Sequence, residues 1–146
     1  MTKIRDTKKC NIRNKSWEDY GISRNRYEEL KAFCLQYEEK KSKISRLKRQ
    51  EGNDGQPKGN HTGNPTEEMA IRNVTYQRDC EMIEQAAIAA SADIYPYIIK
   101  SVTNDLSYAF VEYDEKLGKI PVGKTEFYAI RRLFYHNLDK MKLGTN

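Results

Sequence analysis

An all-α fold, with a long helical hairpin or arm followed by a C-terminal helix-turn-helix bundle, follows from three observations. Apolar residues recur at alternating three- and four-residue spacing over most of the chain. A polar stretch rich in Gly, Asn and Pro interrupts that rhythm once, near the middle. Charged residues make up 32% of the chain and apolar ones 38%, a balance that suits helices with one buried stripe better than a thick layered core.

Residues 1–15 carry six Lys/Arg against one acid and show no periodicity, which predicts a basic arm that is disordered or orders on a partner. Trp17, Tyr20 and Ile22 form a short lead-in that packs back on the body. Ser23 is an N-cap. Tyr27, Leu30, Cys34, Tyr37, Ile44 and Leu47 then make a heptad-like stripe, which predicts one long helix from about Arg24 to Arg49. A seam this narrow suits a single helix partner, in the same chain or in a second subunit.

Gln50 to Gly63 holds four glycines, Pro57, Asn53 and Asn60, and no apolar residue. It reads as a flexible linker, with His61 as a surface residue. Asn64-Pro65-Thr66-Glu67 opens the next helix: Asn caps, Pro takes the first position, and Glu67 reaches back to the cap. Met69, Tyr76, Cys80, Ile83, Ala87 and Ala90 carry that helix to about Ala90. Pro96 marks the first turn of a third helix, with Tyr97, Ile98 and Val102 on its apolar side and Asn104-Asp105 at its end. Ser107–Glu115 is read as a short helix, although its aromatic and β-branched content also suits a strand. The predicted organisation is an arm (1–15), a long helix (16–50), a linker (51–63) and a helical domain (64–146). The helix-turn-helix occupies about 107–141.

The final helix places Phe127, Ile130, Phe134, Leu138 and Met141 within an arc of roughly 80° as its core face. Lys124, Tyr128, Arg131, Arg132 and Tyr135 lie on the adjoining arc of about 100°. Guanidinium groups reach phosphates or guanine edges, and tyrosines contact phosphates or stack. The candidate DNA-binding residues are therefore Lys119, Lys124, Thr125, Tyr128, Arg131, Arg132 and Tyr135, with double-stranded DNA as the partner. His136 falls on the far side of the helix as an exposed, ordinary imidazole.

Charge distribution agrees with this assignment. Residues 24–49 carry nine bases against four acids, and 116–146 seven against two. Residues 50–115 reverse the sign, with four bases against twelve acids. Basic ends of this kind suit phosphate contact.

Other classes find little support. No run reaches the length of a membrane span, and the N-terminus lacks a signal-like apolar stretch, so no membrane partner and a cytoplasmic location are expected. Cys10, Cys34 and Cys80 are odd in number and widely spaced, giving neither a disulfide framework nor a metal-ligand pair; Cys34 and Cys80 read as buried, reduced thiols. Gly118-Lys119-Ile120-Pro121-Val122-Gly123-Lys124-Thr125 satisfies the spacing of a phosphate-binding P-loop. That loop needs a buried strand before it and a parallel sheet around it, and neither is predicted here. Glu38-Glu39, Glu67-Glu68 and Asp114-Glu115 are adjacent acids, which diverge on a helix. No catalytic residues, metal or cofactor are expected.

The pattern Ile120-Pro121-x-Gly123-x-x-x-Phe127-Tyr128-x-x-Arg131-Arg132-x-Phe134 resembles the closing helix of the ArpU/RinA-type late-gene transcription regulators of phages and prophages of Gram-positive bacteria. The layout of 16–142 is similar too: a long charged helix, a Gly/Asn/Pro-rich break, then a helix opening at Asn64-Pro65-Thr66. The resemblance implies a helix-turn-helix like the sigma-factor region that reads the −35 promoter element. It implies sequence-specific DNA binding in the host cytoplasm, RNA polymerase as a further partner, and Lys124, Thr125, Tyr128, Arg131 and Arg132 on the DNA-facing helix. The segment from Gly118 to Gly123 is longer than the usual turn. Two other functions fit the same layout. One is a phage packaging (small terminase-like) or morphogenesis component, oligomeric through its long helices. The other is a helical protein-interaction module without DNA binding.

Overall fold

The computed structural model describes residues 12–52 and 64–144. In chain order these form α1 (Arg24–Leu35), α2 (Tyr37–Gly52), α3 (Asn64–Ala90), α4 (Tyr95–Asn104), α5 (Tyr108–Val111), strands β1 (Tyr113–Asp114) and β2 (Gly118–Lys119), and α6 (Lys124–Leu143). The fold is all-α with long helices, and the one small sheet among the described residues is the antiparallel β1–β2 hairpin. The 53–63 part of the expected linker, His61, Cys10 and residues 1–11 of the expected arm lie outside the described residues.

Ser23 caps α1 as its residue type predicts, accepting the Arg26 backbone N–H at 3.1 Å. The single long helix expected after it is two helices. Gln36 interrupts them, with φ −87° and ψ 0°. No Gly or Pro forces the break. The two halves bury their stripes against different neighbours: α1 packs on α4 and α6, whereas α2 packs on α3. A straight rod cannot serve both.

Helices α2 and α3 run antiparallel, since contacts step backwards along α3 as they advance along α2. Tyr37 donates its hydroxyl to Glu84, Lys40 pairs with Asp79 at 2.8 Å, and the Lys43 ammonium stands 5.4 Å from the Tyr76 ring centre. The α2 half of the first seam thus faces the seam of α3 within one chain. On the opposite side of α3, Ile71 and Val74 are exposed.

Helix α6 is the central element, packed against α1, α3, α4 and α5. Phe127, Phe134 and Leu138 are fully buried, as the periodicity predicts, and Ile130 nearly so. From the other helices come Leu30, Cys34, Ile83, Ala86, Ala87, Ile98 and Val102. The small Ala86 and Ala87 side chains permit the close approach of α3 to α6. Cys34 and Cys80 are free, buried thiols, and burial pushes the Cys34 thiol up to about 12. Helix α4 starts with Pro96 in its first turn and ends at Asp105, whose φ of 53° puts it in the left-handed region that a short polar side chain tolerates. Among the described residues no helix is long and apolar enough to cross a membrane.

Candidate nucleic-acid interface

The segment expected to be the first helix of the helix-turn-helix divides in two. Tyr108–Val111 makes one helical turn; Tyr113–Asp114 then leaves as a strand. The expected turn before the last helix is therefore a β-hairpin, with Tyr113 opposite Lys119 and Asp114 opposite Gly118. The strand chemistry of Tyr113 prevails once Val111 and Ile120 are buried on either side of it.

The hairpin is tightly held. Asp114 accepts the backbone N–H groups of Lys116 and Leu117 at 2.8 and 2.9 Å and pairs with the Lys100 ammonium. Gly118 turns the chain at φ +82°, where a side chain would be strained. The Tyr97 hydroxyl, from α4, lies 2.9 Å from the carbonyl oxygens of both Leu117 and Gly118. Tyr97 was read from the sequence only as an apolar side chain, and its anchoring role has no local signature. The Ile120 N–H donates to the Glu112 carbonyl at 2.8 Å and closes the base of the hairpin. Hydrogen bonding to Lys100, then to the Leu117 and Lys116 amides, lowers the Asp114 carboxyl to about 2. A depressed carboxylate contributes stability above its ordinary pKa and loses it as pH falls through the folded value. The loop should therefore hold at pH 4 and open between about 4 and 2, read by exchange of the Lys116 and Leu117 amides. Opening above pH 5 would contradict this geometry.

The candidate residues separate by exposure. Lys119 is exposed on β2, its ammonium 5.6 Å from the Tyr113 ring centre. Lys124 and Thr125 are exposed on the first turn of α6. Gly123 caps that turn in an extended conformation without a side-chain hydrogen bond, so the first backbone N–H groups have no side-chain cap. Tyr128 is half-buried and its hydroxyl accepts the Tyr108 N–H at 3.0 Å, which fixes α5 against α6. Tyr108 in turn donates its hydroxyl to the Val122 carbonyl at 2.9 Å. Arg131 is half-buried, with its guanidinium over the Tyr128 ring.

Two assignments change. Tyr135 is fully buried, with its ring against Trp17 and Tyr27, and cannot contact a duplex in this arrangement. Arg132 is half-buried beneath residues 12–15, which form a helical turn and a hydrogen-bonded segment rather than the arm, disordered or ordering on a partner, expected there. The cause is common to both. Residues 12–22 and α1 lie along the side of α6 that the sequence left to solvent. His136 is likewise not an ordinary surface imidazole: it stacks on Tyr20 at 4.5 Å, and burial, then the charge of Lys140, lowers its pKa.

The candidate residues that stay fully exposed lie at the end of the molecule where α6 begins. Lys116, Lys119, Lys124 and Thr125 are exposed there, with Phe110 and Tyr113 exposed beside them. The sequence gives no sign of Phe110 and Tyr113 as surface residues while Ser107–Glu115 is read as a helix, and Lys116 falls in the connection after it. Among the described residues no group of three His, Cys, Asp or Glu side chains is placed to hold a metal ion. Compared with known proteins, the chain matches no family model, no curated protein and no solved structure.

Proposed function

We propose that this protein binds double-stranded DNA as a transcriptional regulator of phage or prophage genes, acting without catalysis. The contact surface is the first turn of α6 together with the β1–β2 hairpin. One observation carries the reading: Lys124 and Thr125 stand exposed on an uncapped helix start, braced from behind by the Tyr108–Tyr128 hydrogen bond. Although a single helical turn and a hairpin replace the first helix and turn of a helix-turn-helix, α6 can meet base edges as recognition helices do, with its N-terminal residues, and enclosure of the rest of α6 is compatible with this use. Free N–H groups and the helix dipole favour phosphate at the same end. Lys116 and Lys119 on the hairpin add cations beside it, offset in part by Glu112 and Glu115. The phage assignment and RNA polymerase as a partner rest on the residue pattern of 117–138.

Replacing Lys124 and Thr125 together by Ala is expected to weaken binding to a target duplex about tenfold, the scale of losing one good base contact. Tyr135→Phe should leave binding unchanged. Anisotropy of a labelled duplex, titrated at 50 and 200 mM salt, reads both. If the wild-type protein fails to bind any duplex at low salt, the reading is wrong. A protein-docking role would then take its place, favoured by Phe110, Tyr113 and Leu117, which are 71%, 68% and 44% exposed on one short stretch.

A further inference from the structure

Residues 12–22 cross the outer side of α6 as a strap fixed at several points. Trp17 packs its ring 4.7 Å from Tyr27 and 5.9 Å from Tyr135. Tyr20 stacks on His136, and Ile22 is buried with its N–H on the Trp17 carbonyl at 3.0 Å. The backbone just before these anchors is thereby held in place. Two of its carbonyls meet one side chain: Arg132 donates from Nε to the Lys15 oxygen at 3.0 Å and from Nη2 to the Arg13 oxygen at 3.5 Å.

A guanidinium carries five N–H donors, so three remain. Carbonyl oxygens orient the group but do not neutralise it, and among the described residues Arg132 makes no ion pair. The result is a cation with full charge and a fixed plane. Of the nearby acids, Glu126 pairs with Arg13 at 3.4 Å, whereas Asp19, hydrogen-bonded to the backbone and hydroxyl of Ser16, keeps its charge and offsets part of that of Lys15. The Lys15 side chain is exposed, as is half of Arg13. Arg132 also lies seven residues after Thr125, almost on the same side of α6 and about 10.5 Å further along its axis.

We propose that Arg132, held by the Arg13 and Lys15 carbonyls, forms with the Lys15 side chain a phosphate clamp for the backbone of the duplex that the first turn of α6 meets. This rests on the nucleic-acid reading above. It gives the strap a function: it pre-orients one phosphate-binding cation and brings a second alongside. A pre-oriented guanidinium presents a planar fork that fits phosphate oxygens, and lysine cannot replace it.

The salt dependence of duplex binding tests the clamp. Each phosphate contact contributes about 0.9 to the slope of log affinity against log salt. Arg132→Ala and Lys15→Ala should each make the wild-type slope shallower by about 0.9. Lys15→Ala keeps the main-chain carbonyl, so its effect is free of any loss of the strap. Arg132→Lys should restore the slope but not the affinity, because it loses the fixed plane. Trp17 fluorescence and helix content check that the strap stays closed in each variant. No binding by the wild-type protein overturns both the clamp and the nucleic-acid reading. Wild-type slopes in Arg132→Ala and Lys15→Ala, with binding still lost on replacing Lys124 and Thr125, overturn the clamp alone. Full wild-type affinity in Arg132→Lys refutes pre-orientation by the carbonyls.

Discussion

Phe134→Ala will lower the stability of the protein by about 3–5 kcal/mol, the range for emptying a buried aromatic site. Phe134 is fully buried on α6, and its ring stands edge-on to Tyr135, centres 5.0 Å apart. Two terms add. The ring's transfer from water is lost, and the cavity left behind collapses only in part because its walls belong to several helices. The edge-on contact adds a smaller loss, since such pairs contribute about 0.5–1.5 kcal/mol beyond area. A domain stable by about 5–15 kcal/mol loses a large share at one stroke. Urea titration should show a lower midpoint at an unchanged slope, and Phe134→Leu should recover much of the loss. A cost under about 1 kcal/mol would mean that α6 is not the centre of the core.

That centre was legible in the sequence because periodicity reports burial directly. Phe127, Ile130, Phe134 and Leu138 recur at helical spacing on a chain segment with no Gly or Pro between Lys124 and Leu143, and all four are buried. The Ser23 cap and the place of Pro96 are equally local, each fixed by one residue's own backbone chemistry.

The features that were not legible depend on distant partners. Periodicity says that a helix has a buried stripe, but not how many neighbours widen it. Tyr135 falls outside the stripe that one layer of packing requires, so periodicity alone places it toward solvent. The Trp17–Tyr27 pair supplies a second layer on the other flank. Arg132 binds main-chain oxygens more than a hundred positions away, and any residue type could have supplied those oxygens. The hairpin has two residues per strand, too few for alternation to register. Its remaining signal was Asp114 followed by Gly118: a carboxylate that ties down two following amides, then a residue free to adopt positive φ. The break at Gln36 had no signal at all, since both flanking turns are helical and the stripe runs through it.

Removing Asp79 should cost more than removing its partner. Lys40 is buried to 6% exposure, pairs with Asp79 at 2.8 Å, and lies 4.3 Å from the Phe33 ring centre. Asp79 is the more accessible of the two, with 21% of its side chain exposed. Asp79→Ala leaves a buried ammonium with only a ring face for company. An unpaired buried charge costs about 3–5 kcal/mol, and partial access of water to this pair places the loss near the lower end. Lys40→Met removes the charge and keeps the length of the chain against Phe33. The freed carboxylate can then turn to solvent, so this change should be close to neutral. Equilibrium unfolding of the two variants gives the contrast directly, and added salt should barely alter it, because screening acts weakly on buried pairs. Equal losses in both variants would show that the ion pair itself holds the α2–α3 hairpin together. The asymmetry expected here says instead that apolar seams hold it, and that Asp79 is needed because Lys40 is there.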